Sequence, residues 1–144
     1  MSVTIGFFNA NNLFLRYKWA RAYPGAQGAR TTQADDRWGF LPLYSKGTFE
    51  LFRPERTQVT ADAIKRAGLP DILCLCEVES LLALRNFNES YLGKYYRDAV
   101  VIDSRDFRQI DVGILSRYEI LGLRTHVDDM DARGRPIFSR DCLE

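Results

Sequence analysis

The stretch Asp71-Ile-Leu-Cys-Leu-Cys-Glu77 puts five apolar residues in a row between two acids, with Gly68 and Pro70 just ahead of it as breakers. A run this short and this apolar reads as a strand buried on both faces, as in a sheet covered by helices. Glu77 then falls where the buried strand ends. A carboxylate is costly to desolvate unless a metal, a cation or hydrogen-bond donors compensate it. Sheet enzymes gather their ligands at the carboxyl ends of strands, so this end is a candidate site. The plainer alternative is that Glu77 emerges into solvent.

At 144 residues the chain is expected to form one domain. Its net charge of +1 gives no global attraction to nucleic acid and excludes none. No apolar run approaches the length needed to cross a bilayer. Met1-Ser-Val-Thr-Ile-Gly6 lacks the charged and apolar regions of a signal peptide, and cytoplasmic location is the expectation. The three cysteines fit a reducing compartment. Cys74 and Cys76 lie two apart on the strand, so they point the same way and are expected in the core. A site made of cysteines alone would need more ligands than these.

Val3–Asn9 reads as a first buried strand ending in the amides Asn9, Asn11 and Asn12. The segment 16–52 has no clean periodicity. A stretch of that length without regular structure is uncommon in a compact domain unless it is functional or mobile. Between Arg16 and Arg37, five basic residues face two acids, and Tyr17, Trp19, Tyr23 and Trp38 are interleaved. Bases stack on aromatics while cations contact phosphates, which suits nucleic acid. The other reading is a solvated loop with its aromatics packed beneath it.

Pro54–Ala67 reads as a helix with Pro54 in its first turn, an apolar stripe of Val59, Ala63, Ile64 and Ala67, and Gly68 at its end. A second helix is expected over Leu81–Leu92, with a break near Asn86–Asn88. Further strands are expected at Ala99–Asp103, Asp111–Ser116, Leu121–Thr125 and Ile137–Leu143. The fold class is α+β, a mixed and mostly antiparallel sheet with helices on one face. Strand ends then carry Asn9 and Asn11, Glu77, and Ser139-Arg140-Asp141. Amide and carboxylate oxygens suit a hard cation such as Mg²⁺, which keeps several waters. A nearby arginine suits a phosphate oxygen. That combination fits metal-assisted phosphoester hydrolysis.

Four segments, in order, resemble the endonuclease/exonuclease/phosphatase superfamily, which includes deoxyribonuclease I. They are Phe8-Asn-Ala-Asn-Asn-Leu-Phe14, Asp71-Ile-Leu-Cys-Leu-Cys-Glu-Val-Glu79, Arg108-Gln-Ile-Asp-Val-Gly-Ile-Leu-Ser-Arg117 and Phe138-Ser-Arg-Asp141. The resemblance implies that Glu77 is the main metal ligand and that Asn9 orients metal-bound water or the scissile phosphate. Asn11 is a second metal-side residue, standing where many members have Asp. Arg140 contacts the phosphate, and Arg108 and Asp111 shape the rim. It implies Mg²⁺, with Mn²⁺ as the alternative ion, and a nucleic acid or other phosphoester as substrate.

The family's second half normally supplies further His, Gly-Asp-Phe-Asn and Ser-Asp-His motifs, and none of these strings occurs here. The only histidine, His126, has no matching context and reads as a surface or rim residue. The expectation is therefore that residues 1–144 form the N-terminal half of such a domain, with 16–52 an insertion, and that this half alone does not turn over. The family sandwich would leave one sheet face of this half uncovered, open to self-association. The alternatives are a phosphatase acting on small phosphoesters or lipids, and a non-catalytic half-domain that binds a partner.

Overall fold

A computed structural model of the chain describes residues 2–20, 48–51, 54–108 and 110–144. The chain divides into two compact units, Met1–Leu15 with Arg53–Glu144, and Arg16–Phe52. In the second unit, β2 (Tyr17–Ala20) and β3 (Thr48–Leu51) pair antiparallel, Tyr17 opposite Leu51 and Ala20 opposite Thr48. The segment 16–52 thus holds regular structure where the sequence showed no periodicity. Four-residue strands are too short to display it. The rest of its basic and aromatic residues lie outside the described residues.

The first unit is a four-stranded sheet with two helices. Its elements are β1 (Ile5–Leu13), α1 (Pro54–Arg66), β4 (Ile72–Val78), α2 (Leu81–Ser90), β5 (Asp98–Ile102) and β6 (Asp111–Ser116). The spatial order is β1-β4-β6-β5. β1 runs parallel to β4, and β6 is antiparallel to both β4 and β5. The class is α+β with a mixed sheet, as expected. No helix among the described residues is long and apolar enough to cross a membrane.

Both helices pack on one sheet face. Ala61 and Ile64 of α1, Leu84 and Phe87 of α2, and Ala10, Leu73, Leu75 and Leu115 of the sheet form a single buried cluster. Gly113 brings α2 close, because a Cβ there would lie 3.0 Å from Leu84 Cδ2. In α1 the buried residues are Ala61 and Ile64, whereas Val59 is 66% exposed, so the stripe is rotated from the expected one. Glu55 in the first turn and Lys65 and Arg66 in the last complement the helix dipole. In α2, Ser80 caps the N-terminus by accepting the Ala83 N–H. The expected break at Asn86–Asn88 is absent. Asn88 instead turns inward and bonds both the backbone N–H and C=O of Tyr96.

Among the described residues no helix packs on the opposite sheet face. Its residues are Ile5, Phe7 and Asn9, then Cys74 and Cys76, Ile114 and Val112, Val100 and Ile102, in register across the four strands. Ile5 and Phe7 are 71% and 74% exposed. The run Asp71–Glu77 is therefore buried on one face only, and Cys74 and Cys76 are half-buried on the open face rather than in the core. Continuous hydrophobicity marked a face that these residues do not themselves cover.

Two expected strands do not form. Residues 121–125 and 137–143 lack a strand ladder. Only Arg124 and Glu144 exchange a reciprocal pair of backbone hydrogen bonds, at 2.9 and 3.0 Å.

The two faces predict opposite mutational responses. Leu84→Ala should cost about 2–5 kcal/mol through the cavity it opens, whereas Phe7→Ser should change stability by less than about 0.5 kcal/mol. Urea-unfolding midpoints would check both. Phe7→Ser should also reduce any concentration-dependent association seen by sedimentation velocity.

Candidate functional site

Strand alternation alone would aim Glu77 at the helices, since Leu73 and Leu75 point there. A register shift between Cys76 and Val78 prevents this. Glu77 adopts φ +65°, a conformation that strains a long side chain, and Val78 takes the core position at 0% exposure. β1 shifts beside it, between Asn9 and Leu13, after which Leu13 pairs with Val78. Asn11 and Asn12 have φ +52° and +63°, which asparagine tolerates far better than other residues. Two adjacent irregularities thus free Glu77, Asn11 and Asn12 from the ladder at one end of the sheet. Backbone strain concentrated in this way is a mark of functional sites.

Glu77 Oε2 accepts the Asn12 N–H at 3.1 Å. Asn9, exposed on the open face, accepts the Asn11 N–H on Oδ1 at 2.8 Å, so its amide oxygen closes the strand-end turn. Asn12 was named among the strand-end amides but given no role, because its contribution is a backbone donor. The other acid of the run, Asp71, has a different task. It accepts bonds from Thr4 N (2.9 Å), Thr4 Oγ1 (2.7 Å) and Arg117 Nη1 (2.7 Å). The Thr4 bonds, with Arg117 helping, hold its carboxyl below the usual range. Asp71 staples the far ends of β1, β4 and β6.

The loop after β5 supplies the cations. Asp111, 4% exposed at the start of β6 and opposite Val78, accepts hydrogen bonds from both the backbone N–H and the hydroxyl of Ser104. Asp111 thereby organises the loop. Ser104 Oγ in turn faces the Asp106 N–H at 3.4 Å. The Asp106 carboxylate, its side chain 7% exposed, accepts Arg108 Nε and Nη2 (3.3 and 3.2 Å), the Arg108 backbone N–H (2.9 Å) and Arg140 Nε (2.8 Å). Arg108, then Arg140, hold its carboxyl well below the usual range. The Arg108 guanidinium is held in its charged form chiefly by Asp106, with a smaller contribution from the Glu77 charge.

The structure thus brings Arg108 and Arg140 together on one carboxylate. Arg140 lies on an irregular segment rather than a strand, and its partner is Asp106, not Asp141. Asp106 was missed in the sequence because nothing local marks it. Its partners sit two and 34 residues away.

Among the described residues no group of three or more His, Cys, Asp or Glu side chains is placed to hold a metal ion. The oxygens that suit a hard cation are the Glu77 carboxylate and the Asn11 amide, and a set this small fits an ion that keeps most of its water. A cavity of about 600 Å³ lies elsewhere, between α2, β5 and residues 120–123. Arg85, Lys94 and Arg97 line it with Glu89 and Asp98, and no residue of the Glu77–Arg140 group does. No protein-family model, curated protein or solved structure matches the chain.

The Asp106 clamp predicts a pH response. Its folded pKa lies below the ordinary 3.8, so its stabilising contribution is complete above that value and is lost only as the pH falls through the lowered one. The Asp106 carboxyl ¹³C signal should keep its ionised shift well below pH 3.8. In Asp106→Asn the slow-exchanging Arg140 Nε–H signal should be lost.

Proposed function

We propose that this chain supplies the metal-holding and phosphate-holding side of a divalent-cation-dependent phosphoesterase acting on nucleic acid. The observation that carries the reading is the pair of neighbouring strand irregularities that sets Glu77 beside the asparagines at one end of the sheet. Strain of this kind costs about 1–3 kcal/mol per residue and persists where surrounding structure imposes it. The four-segment resemblance to the endonuclease/exonuclease/phosphatase superfamily points the same way.

Glu77 and Asn11 would hold Mg²⁺ or Mn²⁺. When bound, such an ion polarises a phosphoryl oxygen and stabilises a leaving oxyanion. The chain's own residues do the rest of the positioning. Asp106 occupies the Nε–H of Arg140 and the Nε–Nη2 edge of Arg108. Both terminal nitrogens of Arg140, and Nη1 of Arg108, are without a hydrogen bond among the described residues and can donate to phosphate oxygens. Because both guanidinium groups are already fixed, little side-chain entropy is lost when phosphate arrives. The Asn9 NH₂ is a further donor from the strand end. Residues 1–144 alone should bind metal and phosphate without turnover. The basic and aromatic residues between 16 and 38 favour a polymeric substrate over a small phosphoester.

A second reading rests on the uncovered sheet face. Exposed Ile5 and Phe7 in register with half-buried Cys74, Ile114 and Val100 make a surface suited to a protein partner.

The decisive experiment measures Mn²⁺ binding by water-proton relaxation, and Mg²⁺-dependent cleavage of DNA and RNA by the full gene product. Glu77→Gln should abolish metal binding and cleavage while preserving the fold, because the glutamine oxygen can still accept the Asn12 N–H. Arg140→Ala should weaken phosphate binding by an amount corresponding to roughly 1.5–3 kcal/mol for a charge-assisted hydrogen bond. Metal binding that is unchanged in Glu77→Gln would sink the reading. An affinity that does not fall with added salt would turn it toward small phosphoesters.

A further inference from the structure

His126 stands between two carboxylates. Nδ1 lies 2.7 Å from Asp129 Oδ2, in the same turn. Nε2 lies 3.1 Å from Glu144 Oε1, an ion-pair contact without the alignment of a hydrogen bond. The side chain is 13% exposed, and Phe138 packs edge-on at a centroid distance of 6.4 Å. A neutral imidazole carries one N–H. In either tautomer it would turn a bare nitrogen lone pair toward one of these carboxylate oxygens. Only the imidazolium satisfies both sides. The other groups around it are already engaged. Asp141 accepts the His126 backbone N–H (2.7 Å) and the Thr125 hydroxyl (2.6 Å). Asp128 is paired with Arg105. Arg124 lies 3.9 Å from Glu144 and opposes a second cation there only weakly, through solvent.

We propose that His126 is a proton-operated latch, which when charged ties the 138–144 segment to the 124–129 turn and so seats Arg140 on Asp106. Arg140 lies between Phe138, which packs on the imidazole, and Asp141 and Glu144, which bond the turn. A segment held at both sides presents its guanidinium in one place. The latch stands on geometry alone. Its consequence for phosphate binding rests on the role given to Arg140 above.

The sign is fixed. Asp129 first, then Glu144, raise the His126 pKa above its ordinary 6.5, against the opposing effect of burial. The latch is therefore closed below about 6.5 and opens as the pH rises through the raised value.

His126 is the only histidine of the chain, so its ring protons titrate unambiguously by NMR. The expected result has three parts. The midpoint lies above 6.5 in the native sequence. It falls in both Asp129→Asn and Glu144→Gln, whose side chains are 50% and 60% exposed and leave the core untouched. Finally, amide protection at Arg124 and Glu144, and the Arg140 Nε–H signal, fade with the same midpoint. A midpoint at or below 6.5, or one that neither variant moves, would overturn the latch. Titration above 6.5 with undiminished protection at Arg124 and Glu144 would overturn it equally. If those amides respond and the Arg140 signal does not, the latch stands without its link to the site. Phosphate affinity measured on either side of the midpoint tests the role of Arg140 separately.

Discussion

The parallel pairing of β1 with β4 is the constraint on which the rest of the first unit depends. Ile5 to Asn9 match Ile72 to Cys76 residue for residue, and both strands then break register side by side. Had only one strand slipped, Leu13 and Val78 would lie on opposite faces and one of them would leave the core. Because both slip, the two residues pair again, and the extra length between them is where Asn11, Asn12 and Glu77 stand. The same irregularities that hold the core together put polar groups at the strand ends. Packing and candidate chemistry are therefore two consequences of one backbone feature.

A second theme is how carboxylates are used. Asp71, Asp106, Asp111 and Asp141 are well supplied with donors, and Asp71, Asp106 and Asp141 tie together segments separated in sequence. Glu77 is different, with one backbone donor on one oxygen. The arginines show the complementary pattern. Arg108 and Arg140 are anchored along one edge and open on the other, an arrangement that orders a donor without using it up.

The sequence showed the helices, the β4–β6 body of the sheet and the position of Glu77 because those depend on local patterns. Apolar runs and breakers fix short elements, and Asp111–Ser116 was legible to the residue. It did not show which face of Asp71–Glu77 would be covered, because hydrophobicity records affinity for a partner and not its presence. It misplaced the strands at 121–125 and 137–143 for the same reason. A ladder needs a neighbour, and alternation in one segment does not supply one. Asp106 was invisible because no local motif marks its bonds to Arg108, and folding alone brings Arg140 to it. Asn9 was legible as a strand terminator, but the use of its oxygen by Asn11 was not.

The staple formed by Asp71 has a consequence for the order of assembly. It joins Thr4 to a strand 67 residues further along. Closing so long a loop is entropically dearer than closing the connections among β4, α2, β5 and β6, although the cost grows only logarithmically with length. Non-local pairings of this kind are formed slowly. The body made by residues 54–116 thus has a kinetic head start, and β1 is the strand that docks onto an edge already built. The asparagines reach Glu77 only at that step, so the site is among the last parts of the molecule to exist.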